Sequence, residues 1–118
     1  GPDRSIRVHR IVCAIDCGTP ENPNLIAQQL EGGIVFGLSA ALYGGVTIEK
    51  GRVKESNFHD QPLVRLDACP VIETHILPST AHPEGVGEPG TPPVAPAVAN
   101  ALFALTGQRL RSLPLKLT

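Results

Sequence analysis

The chain has no tryptophan and no methionine, and its only aromatic residues are Phe36, Tyr43, Phe58 and Phe103. Stacking on nucleobases or sugar rings is therefore a poor candidate for its main activity. A core without large rings or thioethers must be built from Leu, Ile, Val and Ala, which demands close packing of small side chains. Neither sign of charge dominates: ten Lys and Arg stand against eleven Asp and Glu, for a net charge of -1. No basic stripe marks a nucleic-acid partner, and no like-charge run marks a solvating tail. The longest apolar run, residues 34–43, is too short to span a bilayer and is interrupted by Gly37 and Ser39. No targeting segment is visible, so the sequence assigns no compartment.

Cysteine and histidine are also sparse. Cys13 and Cys17 flank a probable strand end, about 13 Å apart at strand rise, which is too far for a disulfide. Cys69 precedes Pro70 with no local base. His9, His59, His75 and His82 are scattered without ligand spacing. The cysteines are read as core residues, and no protein-ligated metal is expected.

Glycine and proline are abundant instead, at 12 each in 118 residues. That implies many tight turns, or a piece that wraps around something. The length fits one small domain, residues 1–118. The opening Gly1-Pro2, with no methionine, reads as an excised or processed part of a longer polypeptide.

Residues 6–16 alternate and then run apolar, as a strand does. Asn22-Pro23 is a helix start, a side-chain cap followed by proline at the first position. Ile26, Leu30, Ile34, Leu38, Ala41 and Leu42 then keep helical spacing up to Gly44-Gly45. Residues 46–55 form a hairpin about Lys50-Gly51, and residues 71–77 alternate as another strand. Thr91 as cap and Pro92 as first residue open a second helix that Gly107 stops; the tail, 109–115, reads as extended. The expected fold is α/β (α+β), with two helices against a small mixed, mostly antiparallel sheet in the order β-α-β-β-β-α. A crossover through the first helix is possible.

The candidate for chemistry is Glu88, the carboxylate in Gly85-Val86-Gly87-Glu88-Pro89-Gly90-Thr91-Pro92-Pro93. Prolines stiffen that loop and glycines let backbone approach a large or flat group. A carboxylate held before a helix start suits a general base, and equally suits a solvated group that complements the helix dipole. Gln28, Gln29 and Glu31 precede Gly32-Gly33. A glutamine both donates and accepts, which suits a heterocycle or an oxo group, although ordinary polar-face residues look the same. Adjacent glycines inside a helix cost about 1 kcal/mol each relative to alanine, so a close backbone or a bound group should offset them. Asp16 at a strand end more often closes a turn than catalyses. His59-Asp60, adjacent on an extended segment, point to opposite sides, and no nucleophile elbow supports a Ser/His/Asp triad.

Several segments together carry a resemblance. They are Val12-Cys13-Ala14-Ile15-Asp16-Cys17-Gly18, Asn22-Pro23, the run from Gln29-Leu30-Glu31-Gly32-Gly33 to Tyr43-Gly44, Ser56-Asn57-Phe58, the Glu88 loop, and Ala95-Pro96-Ala97-Val98-Ala99-Asn100-Ala101. In this order they resemble the C-terminal part of the large subunit of molybdenum hydroxylases, in the isoquinoline 1-oxidoreductase beta subunit and aldehyde dehydrogenase branch. Xanthine dehydrogenase is more distant. The resemblance covers nearly the whole chain; Gly44-Gly45 departs from the expected Gly-Glu at a helix end away from Glu88. It implies a molybdenum–pterin cofactor, in the cytosine dinucleotide form. It also implies hydroxylation of an N-heterocycle or oxidation of an aldehyde, with oxygen from water. The glutamate matching Glu88 would accept the proton of the attacking hydroxyl. Gln29 would lie against the cofactor, with the backbone of Gly85, Val86 and Gly87 near it. Implied partners are the remainder of the large subunit and an iron–sulfur subunit. Alone, the chain is expected to be a cofactor-binding subdomain without activity, lacking bound cofactor and prone to self-association through an open, glycine-rich face. The competing expectation is a scaffold or assembly module that keeps the fold without cofactor.

Overall fold

The computed structural model describes residues 5–56 and 68–118. Its elements run β1 (Arg10–Ile15), α1 (Pro23–Leu42), β2 (Ile48–Glu49), β3 (Arg52–Val53), β4 (Val71–Ile76) and α2 (Val94–Thr106). The class, the helix count and the element order are those expected.

The pairing differs in one respect. β1 and β4 form a parallel pair, from Arg10 opposite Val71 to Ile15 opposite Ile76. Among the described residues, antiparallel pairing is confined to the small separate hairpin of β2 and β3. Alternation in residues 71–77 reveals a strand but not its direction. The connection permits this direction: the chain leaves β1 through a 20-residue helix, and a parallel neighbour requires a long crossover of that kind. On both strands the inward residues (Ile11, Cys13 and Ile15; Ile72, Thr74 and Ile76) are half-buried. In the hairpin, Lys50 and Gly51 both have positive φ, as a two-residue turn between twisted strands requires.

α1 starts as its sequence dictates. The Leu25 N–H donates to Asn22 Oδ1 at 3.1 Å, and Pro23 takes the first position. One stripe, Ile26, Leu30, Ile34, Leu38 and Ala41, is buried. By length and composition alone this helix could cross a bilayer; its buried stripe makes it the core helix here. At its end the N–H groups of Tyr43 and Gly44 both donate to the Ser39 carbonyl at 2.9 Å. A Cβ on Gly44 would stand 2.9 Å from Ala40 Cα, so glycine is required there by close approach.

α2 ends at Gly107 in the left-handed conformation, φ 76°, as expected. Its start differs from expectation. The helix begins at Val94 after Pro93, with no side-chain cap. The Thr91 hydroxyl instead donates across to the Gly33 carbonyl of α1 at 3.0 Å.

Two apolar clusters flank α1. Ile34, Leu38 and Ala41 pack with Val94, Val98 and Leu102 of α2 and with Leu115 from the tail. The tail forms no strand; it is tied down by Leu115 N–H donating to the Ala41 carbonyl at 2.7 Å. Ile26 and Leu30 pack with Cys17. All three cysteines are free thiols, Cys17 buried and Cys13 and Cys69 half-buried.

Candidate functional site

The loop carrying Glu88 is anchored at both ends. At its near end it meets the turn after β1: Thr19 N–H and hydroxyl donate to the Ala81 carbonyl at 3.0 and 2.8 Å, and Glu84 N–H donates to the Cys17 carbonyl at 2.8 Å. Gly18, with φ +78°, sits so close to the His82 carbonyl that a Cβ would overlap it. Asp16 Oδ1 accepts from Gly18 N–H at 3.1 Å and so closes this turn.

At its far end the loop lies on α1. A Cβ on Gly90 would stand 2.9 Å from the Leu30 carbonyl oxygen, and one on Gly37 would stand 2.6 Å from the Thr91 carbonyl oxygen. Gly33 has Thr91 and Gly90 at 3.3–3.5 Å. Close approach of a second backbone therefore accounts for Gly33, Gly37 and Gly90. It does not account for Gly32, Gly85 or Gly87, where an added Cβ would meet nothing within 4 Å.

Between the anchors, loop and helix enclose a cleft of about 450 Å³. Gln29, Gly32, Gly33 and Phe36 line one side, at the i, i+3, i+4, i+7 spacing of a single helix face. Gly87, Glu88, Thr91 and Pro92 line the other. A second cleft of about 400 Å³ adjoins it, with Gln29 and Gly87 lining both. Val86 lines this second cleft and packs on the Cys17, Ile26 and Leu30 cluster. The structure thus brings Gln29, Gly87 and Glu88 together, puts Val86 next door, and leaves Gly85 lining neither cleft.

Glu88 is exposed, and its carbonyl accepts from Thr91 N–H at 3.0 Å, a turn that fixes the backbone beside the carboxylate. Gln28 and Glu31 fall on another side of α1, around a shallow depression with Cys69, Pro70 and Ile72. His59-Asp60 and Asn57-Phe58 lie outside the described residues. Among the described residues no three His, Cys, Asp or Glu side chains converge to hold a metal ion. Phe36 was not marked by sequence reasoning, although it stands seven residues after Gln29 and is 68% exposed. An aromatic ring in register with a polar residue across two glycines was the available signal.

Residues 3–70 match the family described as molybdopterin cofactor-binding domain. The chain is 40% identical to the isoquinoline 1-oxidoreductase subunit beta of Brevundimonas diminuta, over 97% of this chain and 15% of that protein. It is 36% identical to the membrane-bound aldehyde dehydrogenase [pyrroloquinoline-quinone] of Gluconacetobacter polyoxogenes, again over 97% of this chain and 15% of that protein. Its fold matches a Cu,Mo-CO dehydrogenase in the carbon monoxide reduced state with a TM-score of 0.72 and 26% identity. That match covers 84% of this chain and 14% of the other. The chain spans about 15% of the length of these relatives.

Proposed function

The chain belongs to the molybdopterin cofactor-binding family, and on that premise we propose that its cleft is one wall of the molybdenum–pterin site of an oxidoreductase. The observation that carries this reading is the pair of glycines, Gly32 and Gly87, that face each other's elements across the cleft with nothing of the chain's own against them. A helix retains a glycine at a cost of about 1 kcal/mol, and a cradle that a Cβ would fill suits a flat, rigid group. Gln29 supplies a side-chain amide that both donates and accepts, and open backbone at Gly87 supplies another polar edge. These residues fit a pterin; Val86 and Gly85 extend the same loop toward the neighbouring cleft.

When bound, the molybdenum–pterin group supplies the two-electron redox chemistry of a hydroxylation whose oxygen comes from water. This chain's own contribution is placement and proton transfer. Glu88 takes up, at a carboxylate oxygen, the proton lost by the water-derived nucleophile. The loop anchors at Thr19, Glu84, Gly90 and Thr91 fix the backbone that carries this carboxylate, and a base must be within reach of the proton it takes. The substrate class is an N-heterocycle or an aldehyde, the pterin is the cytosine dinucleotide form, and electrons leave to an iron–sulfur partner subunit. The remainder of the large subunit closes the site, and the chain by itself does not turn over.

The test uses a subunit of the relatives' length that contains this chain. Gly32→Leu adds a bulky side chain at a cleft-lining position where a Cβ meets nothing within 4 Å. Molybdenum and pterin content should fall steeply with the far-ultraviolet circular dichroism unchanged. Full molybdenum content in the Gly32→Leu protein would show that the cofactor lies elsewhere.

A further inference from the structure

A fourth concavity lies away from the Glu88 cleft. It is a groove of about 440 Å³ between residues 6–12 and α2. On the helix side it is lined by Val94, Ala97, Val98, Ala101, Leu102 and Leu105, a single stripe along the helix. The outer part of that stripe is bare: Ala97 and Ala101 are exposed and Leu105 is 82% exposed. On the other side consecutive residues, not alternate ones, line the groove, which is what a strand edge presents rather than a sheet face.

The hydrogen bonds identify which edge this is. Val71 N–H donates to the His9 carbonyl at 2.9 Å and Leu77 N–H to the Ile15 carbonyl at 2.8 Å. A parallel ladder uses every second residue of a strand for one neighbour. Residues 9, 11, 13 and 15 therefore serve β4, and the N–H and C=O groups of Arg10, Val12 and Ala14 point to the opposite edge. No described strand pairs there. Among the described residues, the parallel pair of six-residue strands with helices on one face is an incomplete sheet whose β1 edge is uncovered, and such an edge recruits another strand.

From this we infer that the groove is the seat of an additional β-strand contributed by the part of the large subunit outside this chain. The strand extends the sheet at the free edge of β1 and lays its apolar side chains under Ala97, Ala101 and Leu105. The occupant follows from length: the relatives carry this region as about 15% of their chains, so most of such a subunit lies outside it. The inference rests on the reading that this chain is part of such a subunit. It does not depend on where the cofactor sits.

Amide hydrogen exchange decides it, comparing the chain alone with a subunit of the relatives' length that carries it. The Val12 and Ala14 amides should exchange at least about a hundredfold more slowly in the long subunit, while Cys13, bonded to β4, is protected in both. A Val12→Pro variant removes an outward donor and leaves the β1–β4 bonds intact, as proline at a free edge allows. It should lower the yield of folded long subunit at least about tenfold, with little change in the unfolding of the chain alone. Equal exchange of Val12 and Ala14 in the two settings would overturn the inference. So would protection already present in the chain alone together with sedimentation as a dimer, since the occupant would then be a second copy. The Gly32→Leu arm separates the two proposals. Molybdenum loss there with an unprotected edge sinks only this inference; edge protection with molybdenum retained sinks only the cofactor reading.

Discussion

Gly32 and Gly37 lie in the same helix, and alanine at the two positions should shift stability in opposite directions. At Gly32 a Cβ meets nothing within 4 Å, so Gly32→Ala should gain most of the helix-propensity difference, about 0.8 kcal/mol. At Gly37 the same Cβ would stand 2.6 Å from the Thr91 carbonyl oxygen and 3.0 Å from Val94 Cγ2. The carbonyl belongs to backbone pinned by the Thr91–Gly33 bond, so it cannot swing aside as a long side chain would. Overpacking of this kind costs about 1–3 kcal/mol. Set against the propensity gain, the net for Gly37→Ala is a loss of about 1 kcal/mol. The two variants should therefore differ by about 2 kcal/mol, or about 8 °C in Tm for a chain of this size. Urea and thermal unfolding followed by circular dichroism read this directly. If Gly37→Ala proves as stable as Gly32→Ala, the helix–loop contact that positions Glu88 is wrong.

Three further outcomes follow from the same contacts. Thr91→Val keeps the shape but removes the donor to the Gly33 carbonyl, and should cost about 1 kcal/mol in urea titration; an unchanged midpoint contradicts the contact. Asn22→Ala removes the cap that accepts from Leu25 N–H, and should cost about 1 kcal/mol in the same titration. On the outer sheet face, the hydrogen bond from His75, then that from Arg10 and its charge, hold the Glu73 carboxyl below the ordinary glutamate range. A depressed folded pKa means the contribution is present above the unfolded value, about pH 4.3, and is lost as pH falls through the folded value. Glu73→Gln should thus be less stable than the parent at pH 7 by a small margin, this being an exposed cluster, and the margin should close in strong acid. A margin that widens on acidification would refute the sign.

Much of the fold was legible because its signals are local. Asn22-Pro23, the stripe from Ile26 to Ala41, Lys50-Gly51 and Gly107 each act within a turn of their own position, and each appears where the sequence puts it. Strand direction was not legible. The alternation of residues 71–77 is the same in either orientation, and the crossover through α1 permits a parallel pair without requiring one. Thr91 reads as a cap in the sequence because Ser, Thr, Asp and Asn before a helix look alike whether they bond forward to their own helix or, as here, sideways to another. Of the cleft, Glu88, Gly87 and Gln29 were picked out from the loop composition and from the resemblance. Phe36 and Pro92 were missed, since they join the site only when the loop lies on α1. The glycines carried a mixed message: Gly33, Gly37 and Gly90 serve packing, whereas Gly32 and Gly87 do not, and no spacing rule tells these apart.

The role proposed for Glu88, handling a proton in a molybdenum–pterin site built partly from this chain, can be read from turnover. The most direct test is turnover by a complete enzyme carrying Glu88→Gln, with molybdenum and pterin measured on the same preparation. The account predicts full cofactor content and a kcat lower by at least about a hundredfold, the usual scale for a positioned base. Undiminished turnover at full molybdenum content would return Glu88 to the status of a loop carboxylate beside a helix.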